Sequence, residues 1–93
     1  MAAVRTDAQE IQEVVEEVDD RPCTVKAIEV EVGEDSTGDP AAWIWLVVDP
    51  SVENSRKALH DVTLFVGRVQ ASVLERGLTQ WPYVRLKIAV KHR

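Results

Sequence analysis

The chain has 93 residues, 45% of them hydrophobic and 29% charged, with a net charge of −5 at neutral pH. These values exclude a disordered chain and a chain of several domains, and they predict one small α/β domain over residues 1–93, with residues 1–6 and 91–93 frayed. The single cysteine, Cys23, excludes an internal disulfide, and the longest apolar run, residues 41–48, is too short to cross a bilayer, so the predicted location is the cytoplasm.

A short acidic helix is predicted to open the fold. It begins at Thr6-Asp7 and ends before Asp19–Pro22. Its apolar residues recur at intervals of three and four and form one stripe: Ile11, Val14, Val15 and Val18. A helix this short and this acidic is marginal alone in water, so it must dock on another part of the chain.

A β-hairpin is predicted next. Residues 24–32 alternate between apolar and polar side chains, which is typical of a half-buried strand. Its core-facing residues are Ile28, Val30 and Val32. Residues 33–40, GEDSTGDP, form a polar loop, and residues 42–48 form the second strand. The loop is short, so the two strands should pair antiparallel.

A long helix over about 54–76 and a third strand over 83–90 complete the predicted elements. Apolar residues recur in the helix at steps of three and four: Leu59, Val62, Val66, Val69 and Val73. Gly77 suits the position after the helix end, whereas Gly67 inside it costs about 1 kcal/mol relative to alanine and indicates a kink or a close contact with the sheet. In the third strand the predicted core residues are Val84, Leu86, Ile88 and Val90.

The order α-β-β-α-β predicts an α+β fold, a two-layer sandwich of a three-stranded mixed sheet and two helices. This order, with IQEVVEEVDDRP before VKAIEVEVGED and WIWLVV, loosely resembles ribosome-binding factor A and its KH-like fold. The C-terminal cytoplasmic domains of some cation-efflux transporters look similar at the same level, as does a truncated ferredoxin-like fold. The KH-type GxxG loop has no counterpart in the sequence, so the resemblance transfers no functional residue.

The second strand is apolar on both faces, and this is the most informative feature of the sequence. Ile44, Leu46 and Val48 match the aliphatic faces of the other strands, so they are assigned to the core. The opposite, outer face then carries Trp43, Trp45, Val47, Tyr83, Arg85 and Lys87. Three interpretations stay open: the first helix covers this face, another protein or a second copy docks on it, or its aromatic rings stack unpaired bases of RNA.

The loop after the first strand carries a second group of candidate residues, namely Asp35, Ser36, Thr37 and Asp39. Their spacing matches neither an EF-hand nor a phosphate-binding loop, and it favours a hydrogen-bonded turn that can present carboxylates to a basic partner. No metal site, cofactor, small-molecule substrate or catalytic motif is predicted, and we expect no enzymatic activity.

Charge is divided unevenly along the chain. Residues 1–53 hold 3 Lys/Arg and 14 Asp/Glu, whereas residues 54–93 hold 8 Lys/Arg and 2 Asp/Glu. The basic residues at the end of the chain are Arg85, Lys87, Lys91, His92 and Arg93. The sequence therefore predicts a small non-catalytic cytoplasmic protein–protein interaction or regulatory module, whose outer sheet face can bind a second copy or another protein. The alternative is a KH-like RNA-binding domain that uses the basic half.

Overall fold

The structure is a computed structural model that describes residues 7–89. It contains two α-helices, one short 3-10 helix and three strands: α1 (Asp7–Glu16), β1 (Val25–Glu34), β2 (Pro40–Val48), η1 (Pro50–Asn54), α2 (Arg56–Arg76) and β3 (Trp81–Ile88). β1 pairs antiparallel with β2, and β2 pairs parallel with β3, so β2 is the central strand. The predicted α+β sandwich with a mixed three-stranded sheet is confirmed. The predicted frayed termini and Val90 lie outside the described residues.

Both helices lie on the same face of the sheet. The apolar stripe of α1 and the buried side of α2 join the even-numbered residues of β2 in one core. That core contains Ile11, Val14, Val15, Val25, Ala42, Ile44, Leu46, Val48, Val52, Val62, Phe65, Val69 and Val73. The Gln12 side-chain amide also donates to the carbonyl of Ile28 at 3.3 Å, which ties α1 to β1. The interpretation that the first helix covers the tryptophan face is therefore wrong.

A bulge at Lys26 turns the first residue of β1, Val25, toward the core, whereas Val32 near the other end is 36% exposed although it was predicted to face the core. Val25 pairs with Val48, and Ala27 already pairs with Val47, so Lys26 is the extra residue. Without this extra residue, the Val25 side chain would point to the outer face of the sheet, as those of Ala27 and Glu29 do. With it, Val25 is buried on the helix side, while Lys26 is exposed.

The helix-facing residues of β3 are only partly covered. Val84 packs against the core, as predicted. Leu86 and Ile88 lie in register with Leu46 and Val48 on the same face, yet they stay 40% and 37% exposed. β3 is an edge strand, so no strand in the described part of the chain pairs with its outer side. The prediction of a full core face on this strand is therefore only partly correct.

The two glycines of the α2 region have opposite roles, which gives a first prediction. A Cβ added to Gly67 would meet nothing within 4 Å, so the expected close contact with the sheet is absent. Gly77 ends the helix in the left-handed region at φ 72°, and its amide donates to the carbonyl of Leu74. We expect Gly67→Ala to raise the free energy of unfolding by about 1 kcal/mol and Gly77→Ala to lower it by about 1 kcal/mol. Urea unfolding followed by circular dichroism measures both; equal signs would contradict the assigned roles.

Candidate functional site: the open sheet face

The outer face of the sheet is a grid of three strands. Cross-strand register places Gly33, Ala41 and Trp81 in one row, then Glu31, Trp43 and Tyr83, then Glu29, Trp45 and Arg85, then Ala27, Val47 and Lys87. Acidic residues therefore line the β1 side, apolar residues the centre, and basic residues the β3 side. No helix among residues 7–89 covers this face, since α1 and α2 both pack on the other.

This face collects all three tryptophans and the only tyrosine of the chain. The only phenylalanine, Phe65, lies in the core on the other side of the sheet. Trp43 and Tyr83 stack with their ring centroids 6.1 Å apart and their planes 20° apart. Trp81 is 50% exposed, whereas Trp43 and Trp45 are partly buried. The core is thus almost entirely aliphatic, whereas the aromatic side chains that carry a polar atom, tryptophan and tyrosine, lie on the open face.

Gly33 has no side chain, and the Trp43 ring lies over its backbone on β1. A Cβ added at Gly33 would lie 3.4 Å from Cζ3 of Trp43, so the indole already rests on the bare backbone of that strand. A longer side chain at position 33 would have to share this space with the ring. The absence of a side chain therefore lets an aromatic surface extend from β2 toward β1.

Long charged side chains partly cover the remaining aromatic surface. The Lys87 ammonium lies 6.0 Å from the ring centroid of Trp45 and 3.3 Å from Oε1 of Glu29. The Arg85 guanidinium lies 5.7 Å from the ring centroid of Tyr83. The side chains of Lys87 and Glu29 are 56% and 55% exposed, so their ion pair contributes little and can rearrange at small cost. These contacts explain why Trp45 is partly buried although no helix lies above it.

The acidic loop is a hydrogen-bonded turn that adjoins the open face. The Asp35 carboxylate accepts from the amide and hydroxyl of Thr37 and from the amide of Asp39. Gly38 adopts φ 85°, which favours glycine. The Tyr83 hydroxyl donates to Oδ2 of Asp35 at 3.1 Å, so the loop is joined to the aromatic stack. Ser36, also a predicted site residue, is exposed at the tip of the turn.

This contact shifts two pKa values in opposite directions. The pKa of Asp35 lies below its ordinary value, chiefly because the Thr37 hydroxyl donates to the carboxylate. The pKa of Tyr83 lies above its ordinary value of 10.0, chiefly because its hydroxyl donates to Asp35, whose negative charge also disfavours the tyrosinate.

Tyr83 is the only tyrosine, so its ionisation can be followed alone by ultraviolet absorbance. We expect Asp35→Asn to lower the pKa of Tyr83 toward 10.0, because the negative charge that opposes ionisation is removed. Arg85→Gln should raise the pKa further, because the guanidinium favours the tyrosinate. An unchanged titration curve in Asp35→Asn would contradict the contact between the loop and the face.

The structure brings most of the predicted site residues together. Trp43, Trp45, Val47, Tyr83, Arg85 and Lys87 share the outer face, and Asp35, Thr37 and Asp39 form the adjoining turn. Trp81 belongs to the same face but was not predicted, because Pro82 marks an apparent strand boundary. The odd-numbered phase that continues from Lys87 back to residue 81 is the signal for it. Lys91, His92 and Arg93 lie outside the described residues.

Three other features would bear on function within residues 7–89: a metal site, a paired cysteine and histidine, and a membrane-spanning helix. Within that range no three His, Cys, Asp or Glu side chains converge as ligands of a metal ion would. Cys23 lies in the turn before β1 and His60 on α2, and both are exposed. None of the described helices has the length and apolarity to span a membrane.

Comparison with known proteins finds no relative of this chain. No family model, no curated protein and no solved structure matches the chain. The open face is therefore the feature of the molecule that indicates a function.

Proposed function

We propose that this protein is a small, non-catalytic, cytoplasmic interaction module that associates with a second copy of itself through the open sheet face. One observation carries the proposal: every tryptophan and the only tyrosine lie on the sheet face that no described helix covers. Tryptophan, tyrosine and arginine are the residue types that dominate binding energy at protein interfaces. Acidic Glu29 and Glu31 on the same face disfavour the phosphates of RNA, which would weaken a nucleic-acid function.

The charge pattern favours a particular two-fold arrangement. Two identical sheets that pack face to face can be related by an axis across their strands or along them. An axis across the strands sets β1 on β1 and places Glu29 and Glu31 against their own copies. An axis along β2 sets β1 of one protomer on β3 of its partner, so Glu29 meets Arg85 in the same row of the grid. The second arrangement also stacks Trp45 near its own copy at the axis.

The size of the face sets the strength of such a dimer. Three strands of about eight residues give a surface roughly 15 Å by 26 Å, or about 400 Å² before side-chain relief is counted. A standard interface buries about 800 Å² on each partner. We therefore expect a weak, concentration-dependent dimer rather than an obligate one, with dissociation in the micromolar range or above.

A charge-swap experiment tests this arrangement. Sedimentation velocity over a concentration series should show a reversible monomer–dimer equilibrium for the wild type. Glu29→Arg and Arg85→Glu should each weaken the dimer roughly tenfold, because each change places like charges together at two symmetric contacts. The double variant should recover most of the wild-type affinity. A wild type that stays monomeric at every concentration would overturn the proposal, and a double variant weaker than either single one would overturn the axis along β2.

A matched control lies on the helix layer. Leu64 is 52% exposed on α2, on the opposite side of the molecule from the tryptophans. Leu64→Glu introduces a carboxylate, as Arg85→Glu does, but leaves the open face intact. It should therefore sediment as the wild type does.

A further inference from the structure

The strand β3 presents a second surface, its free edge. Sheet order places β3 last, and no strand of residues 7–89 pairs with its outer side. The Ala89 amide donates to the carbonyl of Val48 at 2.8 Å, which fixes the phase of the ladder between β3 and β2. Successive peptide groups of a strand alternate in direction, so Val84, Leu86 and Ile88 direct their backbone N–H and C=O groups away from β2.

The two edges of the sheet differ in how far side chains cover their outward backbone groups. Along β1, the Gln12 amide donates to the carbonyl of Ile28, and the Arg21 guanidinium donates to the carbonyl of Val25 at 3.2 Å. Along β3, Pro82 occupies an outward position and has no N–H to expose, and the Arg85 guanidinium donates to the outward carbonyl of Val84 at a long 3.5 Å. The accessible part of the edge is therefore the outward N–H of Val84 and the outward backbone groups of Leu86 and Ile88.

This edge has an apolar side and a basic side. On the helix side, Leu86 and Ile88 are 40% and 37% exposed, and Leu59 of α2 is 47% exposed. Leu59 lies on the flank of α2 turned away from Asp61 and Arg68, which face the segment after α1. On the outer side of the sheet, the same strand carries Arg85 and Lys87.

We propose that the edge of β3 binds an extended, acidic segment of a partner protein in which apolar and acidic residues alternate, as a fourth strand of the sheet. The apolar residues of that segment would pack on Leu86, Ile88 and Leu59, and its carboxylates would lie beside Arg85 and Lys87. A second copy of β3 is a poorer occupant, since antiparallel pairing with itself would place Arg85 and Lys87 next to their own copies. This site shares Arg85 and Lys87 with the open face, but its backbone groups and its apolar residues lie outside that face, and it does not depend on dimer formation.

The test uses the whole protein and a synthetic peptide of about seven residues that alternates valine and glutamate. Amide hydrogen exchange measured by NMR should show new protection at Leu86 and Ile88 when the peptide is added. A peptide that alternates valine and lysine should bind at least tenfold more weakly, because it opposes Arg85 and Lys87. Leu86→Pro should weaken binding of the valine–glutamate peptide by up to about tenfold, because it removes one outward N–H without removing a bond to β2.

The outcomes separate this proposal from the dimer. Peptide binding should persist in Trp45→Glu, whose change lies on the open face, and Leu86→Pro should leave sedimentation unchanged if circular dichroism shows it folded. Should Leu86→Pro not fold, the exchange measurement on the wild type still decides. Absence of protection at Leu86 and Ile88 at millimolar peptide, or equal binding of both peptides, would overturn the proposed edge site.

Discussion

Replacing Phe65 with alanine is expected to lower the free energy of unfolding by about 3–5 kcal/mol. Phe65 is the largest fully buried side chain among residues 7–89 and is 1% exposed in the core beneath the sheet. Its loss leaves a cavity that aliphatic neighbours on a rigid sheet cannot fill completely. A domain of this size has a total stability of about 5–14 kcal/mol, so the variant loses a large share of it.

The adjacent residue provides the control for Phe65→Ala. Leu64 is 52% exposed on the same helix, so Leu64→Ala should cost less than about 1 kcal/mol. Guanidinium unfolding followed by circular dichroism measures both values. Equal costs for the two variants would mean that α2 presents a different side to the sheet.

Trp45→Glu is expected to dissociate the dimer while leaving the fold intact. Trp45 lies on β2, the strand nearest the proposed two-fold axis, so one substitution removes two central rings and brings two carboxylates together. Loss of one central tryptophan commonly costs about 2 kcal/mol or more in binding, and two are lost in each dimer, so the dissociation constant should rise more than about a hundredfold. Sedimentation measures the association state, and circular dichroism measures the fold.

The neighbouring position separates an interface from a core. Leu46 points to the opposite face of the same strand and is fully buried, so Leu46→Glu should unfold the protein. If Trp45→Glu also unfolds, the open face is needed for folding of the monomer and not only for association. If Trp45→Glu remains dimeric, the two copies meet elsewhere.

The alternation of apolar and polar residues was sufficient to predict the sheet and its faces. The β2 sequence predicts one aliphatic and one tryptophan-bearing face, and the structure keeps that division. The placement of α1 could not be predicted in this way. Its stripe of Ile11, Val14 and Val15 shows that it must bury one side, but either face of the sheet offers apolar residues to pack against.

Two details of the sheet depend on pairing and not on local pattern. The bulge at Lys26 is visible only when the register with β2 changes between Val25 and Ala27. The exposure of Leu86 and Ile88 follows from β3 being an edge strand, and strand order is a property of the assembled sheet. The place of Trp81 on the outer face also depends on pairing, because it follows from the alignment of β3 with β2 from the first residue of β3.

The most direct test of the open face as a self-association surface is tryptophan emission across a protein concentration series, with sedimentation of the same samples. All three tryptophans lie on that face, so the whole signal reports on it. The account predicts that dilution shifts emission to longer wavelength and increases quenching by acrylamide as dimer becomes monomer. Emission that stays constant while the dimer dissociates, or a protein that is monomeric throughout, would contradict it.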